Sequence, residues 1–338
     1  MGLTILFAFS GIFMGWSVGT NDASNVFGTA VGTRVVKYRT AIWLAAAGVI
    51  VGAAVNGHHV MENLGDYAAA NAVNSGLSAF IVMLVAAATV TTMTIVKFPV
   101  STSQCLVGAL IGWGLSQGMS DLSKTGSFFF AWVITPVTTL CICFSLCFIA
   151  ERFVEKKIKG LVGYDMFIKT GYIVAGIFAA YSLGANSSAN ATAIYVNTGI
   201  FDAPTVAINN FFARMNIPIN LSVLTLAAIV GGLSIAIGVL TYSKPVMMTV
   251  GEGITKLSPL TGFLVVLSCS IVVLVFSLAR FPVSTSQAVV GAVMGAGFVK
   301  GVRSVDGKAL ARIFVAWFGT PTIAGVICYL IGFLFFKA

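Results

Sequence analysis

The chain has 338 residues, 58% hydrophobic and only 9% charged, with a formal net charge of +9. A soluble domain carries about 25% charge, and apolar runs of about 20 residues, the length that crosses a bilayer as a helix, recur here from end to end. The composition therefore excludes a soluble globular enzyme and indicates an all-α polytopic membrane protein; the positive balance marks cytoplasmic loops rather than a nucleic-acid partner.

In chain order, five membrane segments are expected in the first part, roughly 2–33, 40–57, 77–97, 98–118 and 127–150. The first lacks a basic leader and carries the polar stretch "GTNDASN" at 19–25, which argues against a cleaved signal. Gly11, Gly15 and Gly19 stand four apart, a spacing that lets membrane helices approach closely. An intramembrane carboxylate is costly unless it is paired or functional. Asn21, Asp22 and Asn25 are thus candidate ligands for a hard cation, with Na+ possible at Asp22; Asp22 could instead carry a proton. A loop at 58–76 holds His58, His59 and Glu62 but no Lys or Arg. Glu62 is a second acidic candidate for the cation. The two histidines are read as an exposed polar loop rather than a metal site, because adjacent residues on a helix face apart and no third ligand stands nearby.

Next comes "FPVSTSQCLVGALIG" at 98–112. Pro99 cannot continue a helix, while Ser101 and Thr102 are good N-caps. A helix starting at 101–103 presents unpaired backbone N–H groups and the positive end of its dipole. Three hydroxyls and the Gln104 amide added to that end make an anion receptor. The charged stretch "ERFVEKKIKG" at 151–160 is a solvated join.

Beyond it the chain repeats itself. "FPVSTSQAVVGAVMG" at 281–295 matches 98–112 at eleven of fifteen positions, including seven in a row. "GANSSAN" at 184–190 partners "GTNDASN", and "AWFGTP" at 316–321 partners "AWVITP" at 131–136. Two homologous membrane repeats follow, 1–150 and 165–338, joined by a cytoplasmic linker at 151–164. The second repeat is expected to span roughly 165–200, 218–242, 260–280, 281–299 and 309–336. Five segments is an odd number, so the second repeat enters from the opposite face: an inverted-topology repeat with broken or re-entrant helices, as in many transporters. With the N-terminus outside, fifteen Lys and Arg fall inward and four outward, which places both termini on the extracytoplasmic side. Whether 98–118 and 281–299 cross the membrane or form hairpins stays open. Ser284, Thr285, Ser286 and Gln287 then bring a second receptor end toward the first. Two such ends would hold a tetrahedral oxyanion without any Arg. Six cysteines, all inside apolar runs, read as packing thiols, and no cofactor is expected.

The combination of "GTNDASNVFGTAVG" with two copies of "PVSTSQ" resembles the PiT family of inorganic phosphate transporters, over nearly the whole chain. The resemblance implies an inverted-repeat helical fold, often dimeric, that cotransports phosphate with sodium or protons across the cell membrane. It also implies that Ser101, Thr102, Ser103, Gln104, Ser284, Thr285, Ser286 and Gln287 bind phosphate. Asp22, Asn21, Asn25, Asn186 and Asn190 would ligate cation or phosphate. Two positions depart from the family: Ser187 stands where its second signature has Asp, and the acidic residue matching Glu62 falls at Met248. One cation site would then be absent, or the anion would be one, such as sulfate, that needs no acceptor. A channel is the next class, but the chain has no ring of charges and no carbonyl-filter motif. An enzyme is disfavoured by the lack of a nucleophile–base pair, a metal cluster or an ATP-binding loop.

Overall fold

The computed structural model describes residues 2–96, 100–119, 121–154, 160–247, 257–299, 301 and 307–336. Among them the chain is helical, with no strand. In order the helices are α1 (Gly2–Gly32), α2 (Tyr38–Ala70), α3 (Gly76–Ile95), α4 (Thr102–Ser116) and α5 (Leu122–Ile149), the last ending in a π turn at Ala150–Val154. Then follow α6 (Leu161–Thr192) with a 3-10 extension at Ala193–Thr198, α7 (Asp202–Arg214), α8 (Val223–Tyr242), α9 (Pro259–Leu278), α10 (Thr285–Val299) and α11 (Gly307–Phe335). Seven helices are long and apolar enough to cross a bilayer, and the chain is a multi-pass membrane protein.

Boundaries differ from expectation where polar residues continue a helix. α2 runs on to Ala70 through His58, His59 and Glu62, so the predicted 58–76 loop is mostly helix. Its buried residues Gly57, Val60, Met61, Leu64, Tyr67 and Ala68 keep a helical spacing, and that apolar stripe carries the polar residues on its back. The His58 and His59 rings do not face apart; their centroids lie 4.1 Å from each other. Among the described residues no three His, Cys, Asp or Glu side chains cluster as metal ligands. The short α7 was not foreseen. Pro99, Met248 and linker residues 155–159 lie outside the described residues.

The two duplicated segments each form the return arm of a hairpin. α4 and α10 have 15 residues each, about 22 Å of helix, which is short of a hydrocarbon core of about 30 Å. α3 starts beside the start of α1, where Phe80 lies 6.0 Å from Phe7. It ends at mid-α1, where the Thr94 hydroxyl reaches Asn21. α4 then returns to the end from which α3 came, since Trp113 Nε1 donates to the Ala72 carbonyl just before α3. The second hairpin behaves oppositely. α9 starts at the base of α6, with Phe263 6.3 Å from Tyr172. α10 runs out along the second half of α5, with Gly291 against Pro136 and Gly295 against Leu140. α4 lies correspondingly on α11, with Gly108 against Pro321. The hairpins therefore enter the bundle from opposite ends and meet at their tips, and each is clasped by the last long helix of the other half.

Candidate functional site

Both tips begin with a capped helix. Gln104 N–H donates to Ser101 Oγ at 3.3 Å, and Gln287 N–H donates to Ser284 Oγ at 3.3 Å. The caps orient the first turns so that the remaining N–H groups of each helix point out of its start. The tips are tied reciprocally: Ser103 Oγ donates to the Val283 carbonyl at 3.2 Å, and Ser286 Oγ donates to the Val100 carbonyl at 2.9 Å. All eight residues of the two "STSQ" stretches are buried.

The signature segments of α1 and α6 pack on this junction with the same exchange symmetry. Asn25 Nδ2 donates to Thr285 Oγ1 at 3.4 Å, and Asn190 Nδ2 donates to Thr102 Oγ1 at the same distance. Asn190 Nδ2 also reaches Ser103 Oγ at 2.9 Å. Asn21 Oδ1 accepts from Thr94, and Asn186 Oδ1 accepts from Ser277. Thr94 and Ser277 were missed from sequence, although each stands four residues before its "FPVSTSQ" and so carried a positional signal. Asn186 additionally pins the second tip, donating to the Val283 carbonyl at 2.8 Å and accepting from Val283 N–H at 3.2 Å.

The symmetry breaks in charge at one pair. Asp22 Oδ1 accepts from Asn21 Nδ2 at 2.8 Å, and Asp22 Oδ2 lies 3.5 Å from the Thr102 hydroxyl. Its counterpart Ser187 only accepts from Asn186 Nδ2 at 3.4 Å. Asp22, 1% exposed, is the sole buried Asp, Glu, Lys, Arg or His among the described residues, and none of the described ion pairs involves it. Burying an unpaired carboxylate is costly. The site thus combines two helix starts and a ring of hydroxyls and amides, which favour an anion, with one carboxylate that calls for a cation or a proton.

Two groups expected at this site lie elsewhere. Glu62 is half-exposed and pairs with Arg280 at 2.9 Å, next to Asn63, whose Nδ2 donates to the Arg280 carbonyl at 2.8 Å. It braces the turn of the second hairpin instead of joining Asp22. Gln104 and Gln287 line a groove bounded by α4, α5, α10 and α11. The reason is helical geometry: two residues past Thr102 or Thr285 is a rotation of about 200°.

The profile of the phosphate transporter family (PHO4) matches residues 18–328. The chain is similar to the "Inorganic phosphate transporter 2-1, chloroplastic" of Arabidopsis thaliana, at 25% identity over 99% of this chain and 72% of that protein. It is similar to the "Sulfate permease CysP" of Bacillus subtilis, at 25% identity over 97% of this chain and 86% of that protein. Its fold matches a solved structure described as "The sodium-dependent phosphate transporter", with a TM-score of 0.77 and 23% identity, covering 99% of this chain and 100% of that one.

Proposed function

We propose, from the premise that this chain belongs to the phosphate transporter family, that it is a secondary active symporter importing inorganic phosphate together with a cation. The observation that carries this reading is the burial of Asp22 beside Thr102, where the two hairpin tips meet. Phosphate is held by the N–H groups of α4 and α10 and the hydroxyls of Ser101, Thr102, Ser284 and Thr285, with Asn25 and Asn190 closing the ring, while Ser103 and Ser286 tie the tips together and turn to the anion only by giving up their bonds to the Val283 and Val100 carbonyls. The cation, Na+ or H+, is held at Asp22 with oxygen from Asn21. Each ion offsets part of the other's desolvation cost, which couples them. Sodium is the first choice because the fold neighbour is described as sodium-dependent. Access alternates as one half rocks against the other around the fixed site. The protein works as a homodimer in the cell membrane, with both termini extracytoplasmic and 151–164 cytoplasmic; the charge bias of the loops supports that orientation.

A second reading, sulfate as the carried anion, is favoured by Ser187 and by the similarity to a sulfate permease. Monohydrogen phosphate carries an O–H that needs an acceptor, which Asp22 supplies; sulfate carries none. The test is uptake of labelled phosphate into proteoliposomes, with sulfate as competitor and with sodium and pH gradients imposed separately. Phosphate uptake driven by one gradient and unaffected by sulfate is expected. Uptake indifferent to both gradients rejects symport, and preferential sulfate uptake moves the reading to the second anion.

A further inference from the structure

α4, α5, α10 and α11 enclose a groove of about 640 Å³ whose described lining includes neither Asp22 nor the serines and threonines of the tips. That volume is within the range of about 300–1,000 Å³ typical of small-molecule sites. Its walls are almost wholly carbon, including Ile111, Trp132, Leu140 and Phe318, and no charged side chain among the described residues lines it. It opens where Val133 and Phe318 stand 67% and 68% exposed on the membrane-facing surface.

At its inner end lie Gln104 and Gln287, 6% and 4% exposed. The side-chain oxygen of each is buried without a hydrogen-bond partner among the described residues. Buried polar atoms left unpaired are rare, and a lipid tail in the groove would leave both oxygens unpaired. A charged ligand would meet no counter-charge there. What fits is a hydrocarbon body with a neutral hydroxyl.

The geometry points to this groove as a binding site for an uncharged long-chain alcohol drawn from the bilayer, its hydroxyl donating to the side-chain oxygen of one of Gln104 and Gln287 and accepting from the amide N–H of the other. Such a ligand would touch both return arms of the hairpins and both helices that clasp them. The site is separate from the hydroxyl ring and does not depend on which anion is carried.

The test uses the full chain in proteoliposomes and three photoactivatable probes of equal length: an alcohol, an alkane and a carboxylate. Crosslinks are mapped by mass spectrometry. The alcohol is expected to label α4, α5, α10 and α11 about tenfold more than the alkane, the ratio that one good neutral hydrogen bond provides. Gln104→Leu with Gln287→Leu should erase that preference while alkane labelling persists. Ile111→Trp, which fills the groove and leaves both amides in place, should remove all labelling there. Equal labelling by alcohol and alkane in the unmodified protein overturns the assignment. So does labelling confined to other helices, or a carboxylate probe that labels as well as the alcohol. Displacement of the alcohol by inorganic phosphate also overturns it and returns the amides to the transported anion.

Discussion

Ser286 Oγ donates to the Val100 carbonyl across the junction of the two halves, at 2.9 Å, and Ser103 repeats the bond to Val283 in the other direction. Each hairpin tip thus satisfies a backbone oxygen of its counterpart, and neither tip is complete alone. The pairing also brings two positive helix ends together in a place with one negative side chain, Asp22, so an anion at the junction relieves a repulsion that the fold itself creates.

The caps supply the first prediction. Ser101→Ala with Ser284→Ala removes the acceptors for Gln104 N–H and Gln287 N–H. Each loss should cost about 0.5–2 kcal/mol, seen as a lower thermal midpoint in detergent, and phosphate affinity by calorimetry should fall at least about tenfold, or 1.4 kcal/mol. An unchanged affinity in a folded double variant would remove the anion-receptor reading.

Asp22→Asn should abolish the dependence of phosphate uptake on the coupling cation. Because a buried unpaired charge is removed, the thermal midpoint measured without cation should hold or rise. A variant that still responds fully to the sodium or proton gradient would place the cation elsewhere.

The converse substitution, Ser187→Asp, restores a carboxylate at the symmetric position, where the serine now accepts from Asn186. The expected result is a steeper cation dependence of uptake, read as a higher Hill slope. No change in slope would mean that this position takes no part in cation binding.

Glu62→Gln breaks the Arg280 ion pair, but both side chains are about half exposed. Exposed pairs contribute about 0–1 kcal/mol, so the thermal midpoint should barely move. Cation affinity should also hold, since Glu62 braces a turn. A collapse of cation affinity would return Glu62 to the ligand set. Arg280 itself sits at φ 68, a conformation uncommon for a bulky residue, and Asn63 holds its carbonyl. Asn63→Ala is therefore the more disruptive neighbour, expected to lower the midpoint more than Glu62→Gln does.

Gly108 and Gly291 are equivalent positions on the return arms. A Cβ at either would overlap the backbone of Pro321 or Pro136. Gly108→Val should destabilise by about 1–3 kcal/mol, the usual cost of overpacking, measured as a fall in the thermal midpoint. Tolerance without loss would show that α11 can move off α4 freely.

Much of this was legible in one dimension. Hydropathy sums along the chain reveal the membrane segments, because burial in lipid is a property of each residue separately. The duplicated heptapeptide reveals two equivalent capped helix starts, and Asp22 against Ser187 reveals their asymmetry. What only the tertiary structure decided is where neighbours in sequence point and what distant residues meet. Gln104 follows Ser103 directly yet opens onto an apolar groove, since each step along a helix turns a side chain by about 100°. Glu62 meets Arg280, 218 positions away, rather than Asp22. The tip-to-tip bonds likewise depend on packing between elements far apart in the chain, which local patterns of hydrophobicity do not encode.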